Sequence, residues 1–172
     1  GLPEGDPGRS AAMLRRGLLD RIGLSNGRFR CPDVDAADLD GACGSYEAAI
    51  SDGGLDLVVL GLGVNGHVAL NEPGSGPETV TRVVTLTAES RLAAQQYGAV
   101  EPPSWGITVG MRTLLQAREI WLLVTGRHKR AILDRVLHGP VTPDVPASLL
   151  RIHGGVTCWA DADALPRSRR SR

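Results

Sequence analysis

"LDLVVLGLGVNGHVALNEPGS", residues 55–75, decides the fold. Its first eight residues, "LDLVVLGL", are a largely apolar run, the pattern of a strand buried on both faces of a parallel sheet. The next question is what the glycines do. Gly61-Leu62-Gly63-Val64-Asn65-Gly66 fits G-x-G-x-x-G, the fingerprint of a dinucleotide-binding turn. That turn opens a long helix, whose N-terminus receives the pyrophosphate. Here at most six residues, His67 to Glu72, precede Pro73, and Gly74, Gly76 and Pro77 follow. A crossover connection needs about a dozen residues, usually with a full helix. The dinucleotide reading is therefore a poor fit, although Glu89, 23 residues beyond Gly66, is tolerably placed for its acidic residue. A Walker A loop is excluded because no Lys-Ser/Thr follows the glycines.

The loop still lies at the carboxyl end of a strand, where open α/β sheets bind their ligands. Gly63 and Gly66 are expected there to leave backbone N–H groups open and to let a ligand approach closely. Asn65, His67 and Glu72 fall within eight residues of one another. A histidine can take or give a proton, and a carboxylate can fix its tautomer and stabilise its cation. Asn65 or Asn71 can orient a hydroxyl. The same residues also suit an ordinary turn with a solvated Glu72, and residue types alone leave both readings open.

Outward from the loop, strands alternate with helices. "TRVVTLT" (81–87) reads as a strand, followed by a helix from Ala88 to Tyr97. "WGITVG" (105–110) is a short strand leading into the helix "MRTLLQA". "EIWLLVTG" (119–126) is a second buried strand, with the helix "RHKRAILDRVLHG" after it. "TPDVPASLLRIHGG" is a Pro-punctuated loop with a short helix, and "VTCWAD" (156–161) is the last strand. Upstream, Ser10 can cap a helix whose Leu14, Leu18 and Ile22 form one apolar face. "ACGSYEAAISDGG" is another helix, stopped by Gly53-Gly54. Asn26-Gly27 marks a turn in the loop between them. This order predicts an α/β fold: an open, mainly parallel, Rossmann-like sheet with flanking helices. Strands near 55–61, 81–86, 119–125 and 156–160 are expected in that one sheet. Residues 1–165 read as one domain and 166–172 as a basic, disordered tail carrying Arg167, Arg169, Arg170 and Arg172.

The 172 residues suffice for one domain with a core, and 42% of them are hydrophobic. Formal net charge is zero, so there is no general electrostatic case for nucleic acid or an acidic membrane surface. Cys31, Cys43 and Cys158 have neither zinc nor disulfide-framework spacing, which suits a reducing cytoplasm. No run approaches a membrane span.

Residues 55–75 also resemble the glucosamine-6-phosphate deaminase family, the glucosamine/galactosamine-6-phosphate isomerase group related in fold to 6-phosphogluconolactonases. The family pattern is a strand followed by G-x-G-x-[DN]-G-H-[IV]-[AG]-F-N-E-P, kept here with Leu70 in place of Phe. "TRVVTLTAESRLAA", "ITVGMRTLLQAREIWLLVTGRHKRAIL" and "GPVTPDVPASLLRIHGGVTCWAD" extend the likeness over nearly all of residues 1–163. The resemblance implies that His67 opens the pyranose ring of an amino sugar phosphate, assisted by Asn65 and Glu72. It implies that Lys129 binds phosphate, and it implies no metal, nucleotide or flavin cofactor. The reaction so implied is glucosamine 6-phosphate to fructose 6-phosphate and ammonia.

Two departures stand out. Gln96 occupies a position where an Arg commonly contacts the phosphate. The family's isomerisation base is an Asp in D-E-[YW]-x-G-L, and "GLP" (1–3) looks like the end of that motif. The expectation is a domain lacking its N-terminal part, with an incomplete sheet and no activity by itself. The alternatives are a 6-phosphogluconolactonase-like hydrolase, against which "NEPGS" argues, and a non-catalytic sugar-phosphate-binding fragment. Glucosamine against galactosamine, and oligomeric state, a homo-oligomer included, stay open.

Overall fold

The computed structural model describes residues 1–24 and 26–166; of the tail expected to be disordered, 166–172, all but Pro166 lies outside them. Three parallel strands make the central sheet in the order β1 (Leu57–Gly61), β4 (Glu119–Val124), β5 (Val156–Ala160). Leu57 pairs with Glu119 and Gly61 with Leu123, so β1 and β4 end side by side. The loops that leave them therefore emerge at the same edge of the sheet.

Alternation along these strands sorts their side chains to two faces. Val58, Leu60, Ile120, Leu122 and Val124 point into the core. They meet Met111 and Leu114 of α4 (Met111–Leu115), and Ile132, Leu133 and Val136 of α5 (Arg130–His138). Leu149 and Leu150, on the 3-10 helix Pro146–Ile152, close the same core. That helix is the short one expected inside the Pro-punctuated loop.

The opposite face is apolar and open. Leu57 is 42% exposed, Val59 54%, Leu123 43% and Trp159 56%. The expectation that the run from Leu55 is buried on both faces is thus corrected: β1 is buried on one face only. The expected exposed apolar face is present in the structure. Trp121 and Trp159 meet edge to face across this surface, with centroids 6.1 Å apart.

The strand near 81–86 is also corrected. β2 (Arg82–Thr85) does not join the parallel sheet; it pairs antiparallel with β3 (Trp105–Thr108) in a separate two-stranded ladder. Period-two patterning shows that a segment is extended, not which partner it finds. Here α3 (Ala88–Gln96) and the turn after it bring "WGIT" back beside "RVVT" in the opposite direction.

The first helix departs from its expected form. α1 (Ser10–Leu14) follows Arg9, not a capping Ser10, and passes into a π-helical turn over Arg15–Leu19. Wider turns rotate the apolar stripe off one face. Leu14, Leu18 and Ile22 end exposed, and Leu19 is buried instead. α2 (Leu39–Gly53) starts earlier than expected because the Asp38 carboxylate caps it, accepting from Gly41 N at 2.9 Å. Gly54, with φ 69°, ends it. No helix among the described residues is long and apolar enough to cross a membrane.

Candidate active site

After β1 the chain does not enter a helix. Residues 62–80 form a tightly bonded loop, as the early prolines and glycines require. Gly63 N donates to His67 O at 2.9 Å, and Gly66 N donates to Gly63 O at 3.0 Å. The amides of Gly63 and Gly66, expected to be open to a ligand, are therefore used inside the loop. Their glycine identity has another cause. A Cβ on Gly63 would collide with the His67 imidazole, and one on Gly66, whose φ is 93°, would sit 2.8 Å from Val145 Cγ1. Both positions make room for packing.

Val68, fully buried, pins the loop to the core and bridges to Asn71 across a two-residue corner. Ala69 in that corner has φ 50°, a left-handed conformation that costs a residue with a Cβ about 1 kcal/mol or more. The corner turns Asn71 and Glu72 back beneath His67. Asn71 is a brace, contrary to the expectation that it could orient a substrate hydroxyl. Its amide donates to Val68 O at 3.2 Å and to Val109 O at 2.8 Å, and its Oδ1 accepts from Arg82 Nη1 at 3.0 Å. Arg82 also donates to Ser75 Oγ at 2.9 Å, which ties β2 to the end of the loop.

Asn65, His67 and Glu72 do converge. Asn65 Oδ1 accepts from His67 N at 3.1 Å, an Asx turn, while Asn65 Nδ2 donates to Glu72 Oε2 at 2.8 Å. His67 Nδ1 stands 3.5 Å from Glu72 Oε2. Two residues absent from the motif complete the cluster. Ser90 Oγ lies 3.1 Å from His67 Nδ1. Thr87 donates to Glu72 twice, from its hydroxyl at 3.3 Å and from its backbone N at 3.4 Å. Thr87 is the N-cap of α3 and Ser90 lies in its first turn. The only sequence signal for them was capping: T-x-x-S ahead of an expected helix.

Electrostatics follow from this packing. Burial pushes the Glu72 carboxyl up, but hydrogen bonds from His67, Ser90 and Asn65 outweigh it and hold the group at about 2. Glu72 is thus an anion at any ordinary pH. Among the described residues, no protein group hydrogen-bonds His67 Nε2, so the braced ring has one nitrogen to offer a ligand. The arrangement can take a proton at Nε2 and stabilise the resulting imidazolium through Nδ1.

Lys129 closes the 3-10 turn Arg127–Lys129, directly after β4 and so at the sheet edge from which the His67 loop leaves. Asp161 fixes that turn by accepting from Gly126 N, at 2.9 Å and 3.1 Å. No hydrogen bond or ion pair within the described residues holds the Lys129 ammonium, and partial burial lowers its pKa. A half-buried cation of this kind suits an anionic group. No group of three or more metal-ligating side chains occurs among the described residues.

The pattern of glycine loop, His, Glu and following elements matches the family described as glucosamine-6-phosphate isomerases/6-phosphogluconolactonase over residues 1–159. The chain belongs to that family. A glucosamine-6-phosphate deaminase from Halalkalibacterium halodurans is 38% identical over 170 residues, 97% of this chain and 69% of that protein. One from Rhodopirellula baltica is 40% identical over 167 residues, 95% of this chain and 66% of that protein. A solved structure of a monomeric glucosamine-6-phosphate deaminase is similar with a TM-score of 0.90 at 33% identity, covering 95% of this chain and 69% of that one. The chain thus spans about two thirds of the length of the family relatives it matches. The glycines after β1 belong to the isomerase/lactonase loop, not to a dinucleotide turn.

Proposed function

We propose that this chain carries the ring-opening machinery of an amino sugar 6-phosphate deaminase/isomerase, which converts glucosamine 6-phosphate to fructose 6-phosphate and ammonia. The observation that carries the reading is His67, braced at Nδ1 and, among the described residues, unpartnered at Nε2. In the closed pyranose, Nε2 takes the proton of the O1 hydroxyl as the C1–O5 bond breaks. It returns that proton to O5, and C1 becomes an aldehyde. Glu72, itself held by Asn65, faces the opposite ring nitrogen, and Lys129 receives the phosphate. Isomerisation then moves the C2 proton to C1, which leaves C2 as an imine; a water molecule adds at C2, the C2–N bond breaks, and ammonia departs as the C2 ketone forms. The resemblance assigns that proton transfer to an Asp in a D-E-[YW]-x-G-L motif, which these 172 residues do not contain. The expected lack of activity is thereby narrowed to ammonia release: the chain by itself opens the ring without releasing ammonia. The free thiols of Cys31, Cys43 and Cys158 support a cytoplasmic setting, in amino sugar catabolism.

Ring opening and reclosure interconvert the α and β anomers, so the step has its own readout. Magnetisation exchange between the anomers of glucosamine 6-phosphate should accelerate in the presence of the chain, with no ammonia produced. His67→Gln should abolish at least about 99% of the acceleration, since general acid–base catalysis typically contributes 10²–10⁴-fold. Equal acceleration by His67→Gln would overturn the role of His67. Hydrolysis of 6-phosphogluconolactone without anomer exchange would favour the lactonase reading. Binding of the sugar phosphate with neither reaction would favour a non-catalytic binder.

A further inference from the structure

We infer that Ser90 is a positioning residue for His67: its hydroxyl accepts the Nδ1 proton and holds the imidazole with Nε2 toward the substrate. The inference deepens the ring-opening reading and rests on it for its catalytic consequence. Its structural content stands separately.

A direct N–H···O bond to Glu72 is long at 3.5 Å, whereas ordinary ones run from about 2.7 to 3.2 Å. Ser90 Oγ, at 3.1 Å, is the hydrogen-bonding neighbour of Nδ1. The serine is buried and sits in the first turn of α3, with its own N–H donating to Thr87 Oγ1 at 3.3 Å. Its hydroxyl is therefore mounted on a fixed element. Proton counting then gives a direction. Glu72 as an anion only accepts. Thr87 has one hydroxyl proton, directed to Glu72 Oε2 at 3.3 Å. Thr87 Oγ1 already accepts from Ser90 N and from Asn65 Nδ2, both at 3.3 Å, so it has no lone pair left for the Ser90 hydroxyl. The Ser90 proton goes instead to Glu72, whose carboxylate Ser90 helps to hold. Ser90 is left with lone pairs facing His67, so the imidazole proton lies on Nδ1 and the lone pair on Nε2. When Nε2 takes the substrate proton, the Nδ1–H already points at a hydroxyl chain that ends on a carboxylate. No group has to turn.

The test uses the 172-residue chain with Ser90→Ala and Ser90→Thr. Imidazole ¹⁵N shifts report which ring nitrogen is protonated, and His67→Gln assigns the resonances among the four histidines. The parent and Ser90→Thr should show the Nδ1–H tautomer, and Ser90→Ala a mixture. Anomer exchange should slow by about tenfold or more in Ser90→Ala, the scale set by one hydrogen bond to a group that becomes charged. Half-saturation should change little, and Ser90→Thr should recover most of the rate. An unchanged tautomer and an unchanged rate in Ser90→Ala would overturn the inference. If the parent chain exchanges no anomers, the ring-opening reading falls, while the tautomer comparison still decides the role of Ser90.

Discussion

Glu72→Gln keeps the side chain's outline and removes its charge. Donors converge on the carboxylate from Asn65 at 2.8 Å and from Thr87 at 3.3 and 3.4 Å, with His67 Nδ1 at 3.5 Å. A carboxylate accepts all of them, whereas a Gln amide turns one donor of its own against them. The magnitude follows from linkage. Burial opposes the charge, the hydrogen bonds favour it, and the net displacement is from 4.5 to about 2. That corresponds to about 3 kcal/mol in favour of the charged form. The side chain is only 10% exposed, so solvent screens little of this. Because the folded value lies below the unfolded one, the contribution is complete above the unfolded pKa. It is lost as pH falls toward the folded value. Urea unfolding should therefore find Glu72→Gln less stable than the parent by about 3 kcal/mol at pH 7 and by about 1 kcal/mol at pH 3. A stability gap that stays constant over that range, or widens toward acid, would refute the electrostatic account of the cluster.

Asn65→Asp places a second carboxylate 2.8 Å from Glu72 Oε2. The two cannot both ionise readily, so the pair holds a proton with a raised apparent pKa, and the same urea series should show stability falling as pH rises through it. Gly63→Ala drives a methyl into the His67 ring, so anomer exchange should drop by about a hundredfold with the circular dichroism spectrum kept. Lys129→Ala removes a contact shared by ground and transition states, so half-saturation should rise with little change in maximal rate. On the open sheet face, Val59→Glu with Leu123→Glu should reduce binding of an apolar fluorescent dye and leave the unfolding midpoint near the parent's, because both side chains are already exposed.

The run from Leu55 to Ser75 by itself determined much of this protein. Apolar strands, early prolines and breaker glycines fixed a β1-loop unit without a dinucleotide helix, and put His67, Asn65 and Glu72 within one turn of chain. Local spacing suffices there because the loop is closed by its own backbone bonds, such as Gly63 N to His67 O. What lay beyond local spacing was pairing. No pattern in "RVVT" says that its partner is "WGIT" and not the central sheet, since strand partners are chosen by the path of the connections. The apolar stripe of Leu14, Leu18 and Ile22 was legible, but the π turn that misaligns it was not. Ser90 and Thr87 were hidden for the same reason. They read as residues of a helix start, and only packing of α3 against the loop brings their hydroxyls onto His67 and Glu72. Chemistry carried by neighbours in sequence can be read from residue order; chemistry completed by a second element depends on where tertiary contacts place that element.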